Sequence, residues 1–257
     1  MSSFVGSVPI GVVIVAILFG SAMLAMAAAS FLPLHHLNAE TKGVVSVSAA
    51  VVGTMSALVV GLLISNSSAS FTSKTHEVTQ ISTDVINLDR MLRRVGPETQ
   101  DMRAMLRRYA EAKMQDLFPK DPSQGPDLEN GTTLALLEQL QDKILALTPA
   151  TPVQHWLQGQ AVDLTGAMMA ARWHLAQENA IRTPLPLLVL VMFWFVMIFV
   201  SFGLFAPRNG TAITMIFLSS VAIGGAIRMT TELQIPFEGF IRISGAPLDH
   251  AVDVISH

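Results

Sequence analysis

The most specific chemical pattern in this chain lies between positions 46 and 68. Placed at 100° per residue, Ala50, Gly53, Ala57, Val60, Gly61, Ile64 and Ser68 all fall within about 60° of Ser46. The result is a stripe of mostly small side chains, with Gly53, Ala57 and Gly61 spaced by four. Such a stripe serves one of two ends in a membrane: close helix packing, or a wall of small and hydroxylated groups along a water-filled path. A second group is cationic: Arg90, Arg93, Arg94, Arg103, Arg107 and Arg108 straddle the break at Gly96-Pro97. With its neighbours Asp89, Glu98, Asp101 and Glu111 it is a balanced solvated face, a vestibule that concentrates anions or a surface for anionic lipid head groups.

No other spacing fits a reactive centre. Gly-x-Ser-x-Gly, Walker, Gly-x-Gly-x-x-Gly and His-Glu-x-x-His patterns are missing, so the sequence implies no enzyme and no cofactor. The chain has no cysteine, which removes disulfides, thiolate metal sites and thiol nucleophiles. His35-His36 is the one histidine pair, and it lacks the third and fourth ligands of a metal site. Arg228 and Glu232, four residues apart, form a further candidate pair at the edge of an apolar stretch. The formal charge of −3 gives no pull towards nucleic acid.

The elements that must position these residues follow from where the charges are missing. Of the 257 residues, 51% are hydrophobic and only 14% charged, and the mean hydropathy is +0.50. No Lys, Arg, Asp or Glu occurs before Glu40, between Lys42 and Lys74, between Arg182 and Arg208, or between Arg208 and Arg228. A spanning helix needs about 20 mostly apolar residues. Four stretches qualify: roughly 8–31, 44–64, 185–206 and 212–227. Ala25-Met26-Ala27 resembles a cleavage site, but residues 1–7 carry no Lys or Arg and the apolar run is long, so a retained helix is expected.

The chain divides into 1–70 (two membrane helices), 71–183 (a polar insert), 184–232 (two more membrane helices) and 233–257 (an interfacial tail). Within the insert, Val78, Ile81, Val85, Leu88, Leu92 and Val95 alternate steps of three and four, as an amphipathic helix does. The second membrane helix runs into Ser65-Asn66-Ser67-Ser68 with no Gly or Pro, so it should leave the bilayer unbroken. Gly96-Pro97-Glu98 stops it and starts another helix, on which Met102, Leu106, Tyr109 and Leu117 form the apolar side. Two more helices are expected around 134–147 and 153–180, and a closing helical turn or two over 247–255. Fourteen of the sixteen Lys and Arg lie in the insert, at the end of the fourth span or in the tail. The positive-inside rule then places both termini and residues 71–183 in the cytoplasm of a multi-pass membrane protein.

Three groups of residues together carry a family resemblance: Leu88-Asp89-Arg90 with Gly96-Pro97-Glu98, Arg103, Leu106 and Arg107; the run from Ser201 to Asn209; and Pro236-Phe237, Gly239, Ile241-Arg242-Ile243-Ser244 and Pro247-Leu248. In these the chain resembles the bestrophin-like domain family of small bacterial and plant membrane proteins, over essentially its whole length. Bestrophins are pentameric ion channels whose second membrane helix lines the pore. The resemblance therefore implies an all-α membrane fold and a homo-oligomer, pentameric by likeness, passing inorganic ions with anions favoured. Its partners would be its own copies and membrane lipids. The pore would be lined by Ser46, Ala50, Gly53, Ala57, Val60, Gly61, Ile64, Ser68 and Phe71, and the vestibule by Arg90, Arg94, Arg103 and Arg107. Bestrophins narrow their pore with bulky apolar residues spaced by four; here Val60, Ile64 and Phe71 are the bulky candidates. No acidic run matches the calcium clasp of animal bestrophins. The alternative is a non-conducting scaffold or sensor whose helical insert binds a partner.

Overall fold

The computed structural model describes residues 2–33, 38–121, 124–180, 185–237, 239 and 241–256, so His35 and His36 lie outside the described residues. Those residues are all-helical, with no strand among them. The helices are α1 (Ser2–Ala28), α2 (Ala39–Val95), α3 (Gln100–Leu117), α4 (Gly131–Leu145), α5 (Pro152–Ala180), α6 (Leu185–Phe205), α7 (Gly210–Leu233) and α8 (Ala246–Ser256). Four of them, α1, α2, α6 and α7, are long and apolar enough to cross a membrane.

The chain forms two compact units, one of Met1–Ala69 with Arg182–Ile235 and one of Ser70–Ile181 with Pro236–His257. In the first, α1 packs along both α6 and α7. Its inward residues Ile14, Leu18, Ala22 and Met26 meet Val191, Phe195, Phe199, Ile216 and Ile227. The α1–α6 approach depends on Gly203, because any Cβ there would stand in the place of the Ala22 carbonyl. At the α6–α7 turn, Asn209 caps α7 by accepting from the Ala212 N–H at 2.8 Å. Its neighbour Arg208 donates to the Met26 carbonyl at 2.8 Å, a cation at the negative end of α1. The fourth apolar stretch was expected to end at Ile227, but α7 continues to Leu233. The charge of Arg228 is accommodated there. Its aliphatic stem lies against Gly11, and its guanidinium is 3.8 Å from the Glu232 carboxylate, one turn on.

In the second unit Leu88, Leu92, Leu106, Tyr109, Leu137, Leu140 and Ile144 form one buried cluster, which Ala251 and Ile255 of α8 complete. Val78, Ile81, Leu117, Leu175, Ile243 and Leu248 form another. α2 stops where the sequence predicts. Gly96 adopts φ +147°, a conformation closed to residues with a Cβ, and Pro97–Thr99 makes a 3₁₀ turn before α3. The carbonyls freed at the end of α2 are satisfied by side chains: the Thr99 hydroxyl donates to Leu92 at 2.7 Å and Gln154 of α5 donates to Val95 at 2.8 Å.

Candidate functional site

α2 differs from the other spanning helices in how little of it is covered. Only 6% of its apolar stretch is buried, against 22% for α6 and for α7 and 33% for α1. One edge touches the bundle: Val52, Val59 and Val60 pack on the α1–α6–α7 core, and Ser56 and Ser67 are buried along the same side. Ser56 satisfies itself by donating to the Val52 carbonyl at 2.7 Å, and Ser67 accepts from Gln234 at 3.3 Å.

The uncovered side of α2 has two chemically distinct faces. Val44, Val47, Val51, Met55, Leu58 and Leu62 are all exposed and follow one another at steps of three and four, a bulky ridge. About a quarter-turn round the helix lie Ser46, Ala50, Thr54, Ala57, Gly61, Ser65 and Ser68, also exposed. Thr54 donates to the Ala50 carbonyl at 3.0 Å, so its hydroxyl proton is placed and its outward lone pairs remain available. This second face is small, smooth and hydroxylated, and it carries no charge.

The nine residues singled out as pore-lining divide in three. Ser46, Ala50 and Gly53 form one wall of a groove of about 630 Å³, whose other walls include Ile198, Phe202 and Met215. Ala57, Gly61 and Ser68 are exposed on the small face, while Val60 and Ile64 are half-buried beside it. Phe71 packs against the Val78–Ile81–Leu117 cluster of the second unit.

The four vestibule arginines divide as well. Arg90 and Arg94 are exposed and one turn apart on α2. Arg103 is tied to Asp89 at 2.7 Å, and the same buried carboxylate takes Arg93 at 2.7 Å through its other oxygen. One carboxylate holding two guanidinium groups leaves a net positive charge there. Arg107 donates to the Ile255 carbonyl at 2.9 Å and so fastens the end of α8. Arg107 reaches a carbonyl 148 residues away, and Arg103 a carboxylate 14 residues away across the Gly96-Pro97 break, so neither contact has a helical-spacing signature. Among the described residues no group of three or more His, Cys, Asp or Glu is placed to hold a metal ion.

Residues 16–248 match the family model described as the Bestrophin-like domain. No curated protein matches the chain in sequence. Among solved structures the fold is similar to a bacterial bestrophin homologue from Klebsiella pneumoniae carrying a tryptophan-to-alanine change, with a TM-score of 0.74 and 13% identity over 97% of each chain. A leucine-to-threonine variant of a bacterial bestrophin homologue from the same organism gives a TM-score of 0.72 at 13% identity, covering 95% of this chain and 97% of that one. A membrane protein with a proline-to-alanine change gives 0.67 at 16% identity, over 95% of this chain and 97% of the other. At these identities the likeness is one of fold.

Proposed function

This chain belongs to the Bestrophin-like domain family and is a membrane protein, and from that premise we propose that it assembles with its own copies into an ion channel. The pore is lined by α2, anions are favoured over cations, and the ring is a pentamer as in bestrophins. The observation that carries this reading is the near-absence of cover on α2. Four spanning helices are too few to enclose an aqueous path within one chain, so a path requires a symmetric oligomer. In such a ring the bulky ridge from Val44 to Leu62 packs on the neighbour, and the small hydroxylated face of Ser46, Ala50, Thr54, Ala57, Gly61 and Ser68 turns to the axis. Apolar ridges against lipid or protein cost little, whereas exposed hydroxyls favour water. Recording from purified protein in a planar bilayer, with ion substitution, tests the reading. Absence of current under any gradient, with the assembly intact, transfers the protein to the scaffold class.

The arginines refine the anion preference. Arg90 and Arg94 are the two of the four that this chain leaves exposed, so they supply the field of an aqueous vestibule. Reversing both with Arg90→Glu and Arg94→Glu is expected to lower the anion-to-cation permeability ratio by about tenfold at low salt. The effect should shrink as the Debye length falls from about 10 Å at 0.1 M to about 3 Å at 1 M. Arg103→Glu places a second carboxylate beside Asp89 and is expected to lower the melting temperature instead. A selectivity change from Arg103→Glu equal to that of the Arg90/Arg94 pair counts against this division.

We further propose that the termini and residues 71–183 are cytoplasmic and that the protein resides in a bacterial inner membrane. The topology is supported by the excess of Lys and Arg beside those membrane ends, and the membrane by the bacterial bestrophin homologues of similar fold. A single cysteine introduced by Gln124→Cys is expected to react with an impermeant maleimide only after the cells are opened. Labelling of intact cells reverses the topology.

A further inference from the structure

In the first unit α2 presents two open surfaces on opposite sides and at the same height. One is the bulky ridge of Val44, Val47, Val51 and Met55. The other is the groove of about 630 Å³, whose α2 wall is Lys42, Val45, Ser46, Ala49, Ala50 and Gly53. Ile198 and Phe202 of α6 and Met215 of α7 stand on its far side. At 100° per residue the ridge lies about 100° to 180° round the helix from Ser46, and the groove wall about −100° to +40°. The small hydroxylated face fills the sector between them, and Val52, Ser56 and Val59 hold the remaining sector against the bundle.

Each surface is headed by a charge, and the two charges have opposite signs. Glu40, at about 120° from Ser46, stands in line with the ridge. Lys42, at about −40°, stands at the mouth of the groove and lines it. Both are exposed, and neither side chain forms a hydrogen bond or an ion pair with a described residue. Two residues apart on a helix, they do not face each other. Arg208, the other cation at this end of the bundle, is committed to the Met26 carbonyl.

A ring in which α2 lines the axis gives that helix a neighbour on each side, with water between them. Its contacts are head-to-tail: one surface of each copy meets a different surface of the next. The two surfaces must lie at one height, because the axis runs along the membrane normal. The order round α2, groove then small face then ridge, meets both demands. Bulky side chains entering a wall of Ala, Ser and Gly let two backbones approach closely, and such packing drives helix association where lipid is as apolar as the protein. The charges heading the two surfaces differ in height by only about 3 Å, two residues of helix. Resting on the reading of this protein as a ring around α2, we propose that the occupant of the groove is the α2 ridge of a second copy of this chain. Val47, Val51 and Met55 of one copy seat against Ala49, Gly53 and Phe202 of the next, and Glu40 of the first pairs with Lys42 of the second.

The native chain has no cysteine, so oxidative cross-linking reads this contact directly and independently of current. A disulfide needs Cβ atoms about 3.5–4.5 Å apart, so two double variants bracket the height: Val51→Cys with Ala49→Cys, and Val51→Cys with Gly53→Cys. A Cβ at position 53 meets only the Ile198 methyl, at 3.8 Å, so the subunit accepts it. Residues two apart on one helix point away from each other, so any disulfide formed joins two chains. Copper-catalysed oxidation of the full-length protein in its membranes is expected to give a ladder of covalent oligomers from at least one double variant, and no cross-linked product from the three single variants. A dimer from Val51→Cys alone means that ridge meets ridge and overturns the proposal. So does the absence of product from both double variants, the result if a phospholipid chain fills the groove. Glu40→Lys and Lys42→Glu are each expected to shift the balance towards monomer on size exclusion by about fivefold, and the two together to restore it. A double reversal as dissociated as either single one overturns the Glu40–Lys42 pairing. A ladder without current leaves the contact standing and removes the channel reading, and current without a ladder does the reverse.

Discussion

Ala57→Trp is expected to abolish current while leaving the oligomer assembled. Ala57 is exposed in the subunit, lies on the small face of α2, and touches neither the α1–α6–α7 core nor the groove beside Gly53. An indole at this position therefore meets no obstacle within its own chain, and the subunit fold should be unaffected. In a ring built around α2 every copy places one indole at the same height, so a single substitution closes the path from all sides. Leu58→Trp is the control. It lies one residue on but on the bulky ridge, and it is expected to weaken assembly rather than plug the path. Size-exclusion chromatography and bilayer recording of both variants separate the outcomes. If Ala57→Trp dissociates the oligomer and leaves residual conductance unchanged, the stripe is a packing surface.

Gly203→Leu should have the largest effect on stability. The obstacle to a side chain at 203 is the α1 backbone at Ala22, with the Ala25 methyl 2.9 Å from the new Cβ. Side chains can rotate away from an intruder, whereas a helix backbone can only separate from its partner. Overpacking of a core by flexible groups costs about 1–3 kcal/mol, and displacement of α1 should exceed that, because α1 is the helix on which both α6 and α7 pack. The expected result is loss of monodisperse protein in detergent, or a melting temperature lower by about 6 °C or more. Gly203→Ala should show the same change in smaller degree. A native melting temperature for both variants would remove the close approach of α1 and α6.

Much of this architecture is legible in the sequence, because a bilayer writes its demands as missing charges. The four apolar stretches, the unbroken passage of α2 through Ser65–Ser68 and its stop at Gly96-Pro97 follow from composition and two breaker residues. The end of α7 does not. Arg228 looks like a terminus until its stem is seen against Gly11, more than 200 residues away in sequence. The bulky ridge of α2 also has helical spacing in the sequence, but a span that is apolar all round offers no contrast to mark one face. Lys113 shows the limit most clearly. It falls on the periodic face that runs through Leu106, Tyr109 and Leu117, yet a lysine in a polar insert reads as solvated until tertiary packing encloses it. The roles of Arg103 and Arg107 depend on Asp89 and the Ile255 carbonyl, partners that no local spacing discloses.

The packing of α1 also sets a schedule for biosynthesis. Its partners are α6 and α7, and between Ala28 and Leu185 the ribosome must make α2 and the whole of α3, α4 and α5. At about 5–20 residues per second that interval is on the order of ten seconds. During it α1 waits in the bilayer with its future contact surface, the Ala22 carbonyl included, facing lipid or another protein. Pairings so distant along the chain are slow to close. The nascent protein therefore spends most of its synthesis with α1 lacking both of its helix partners.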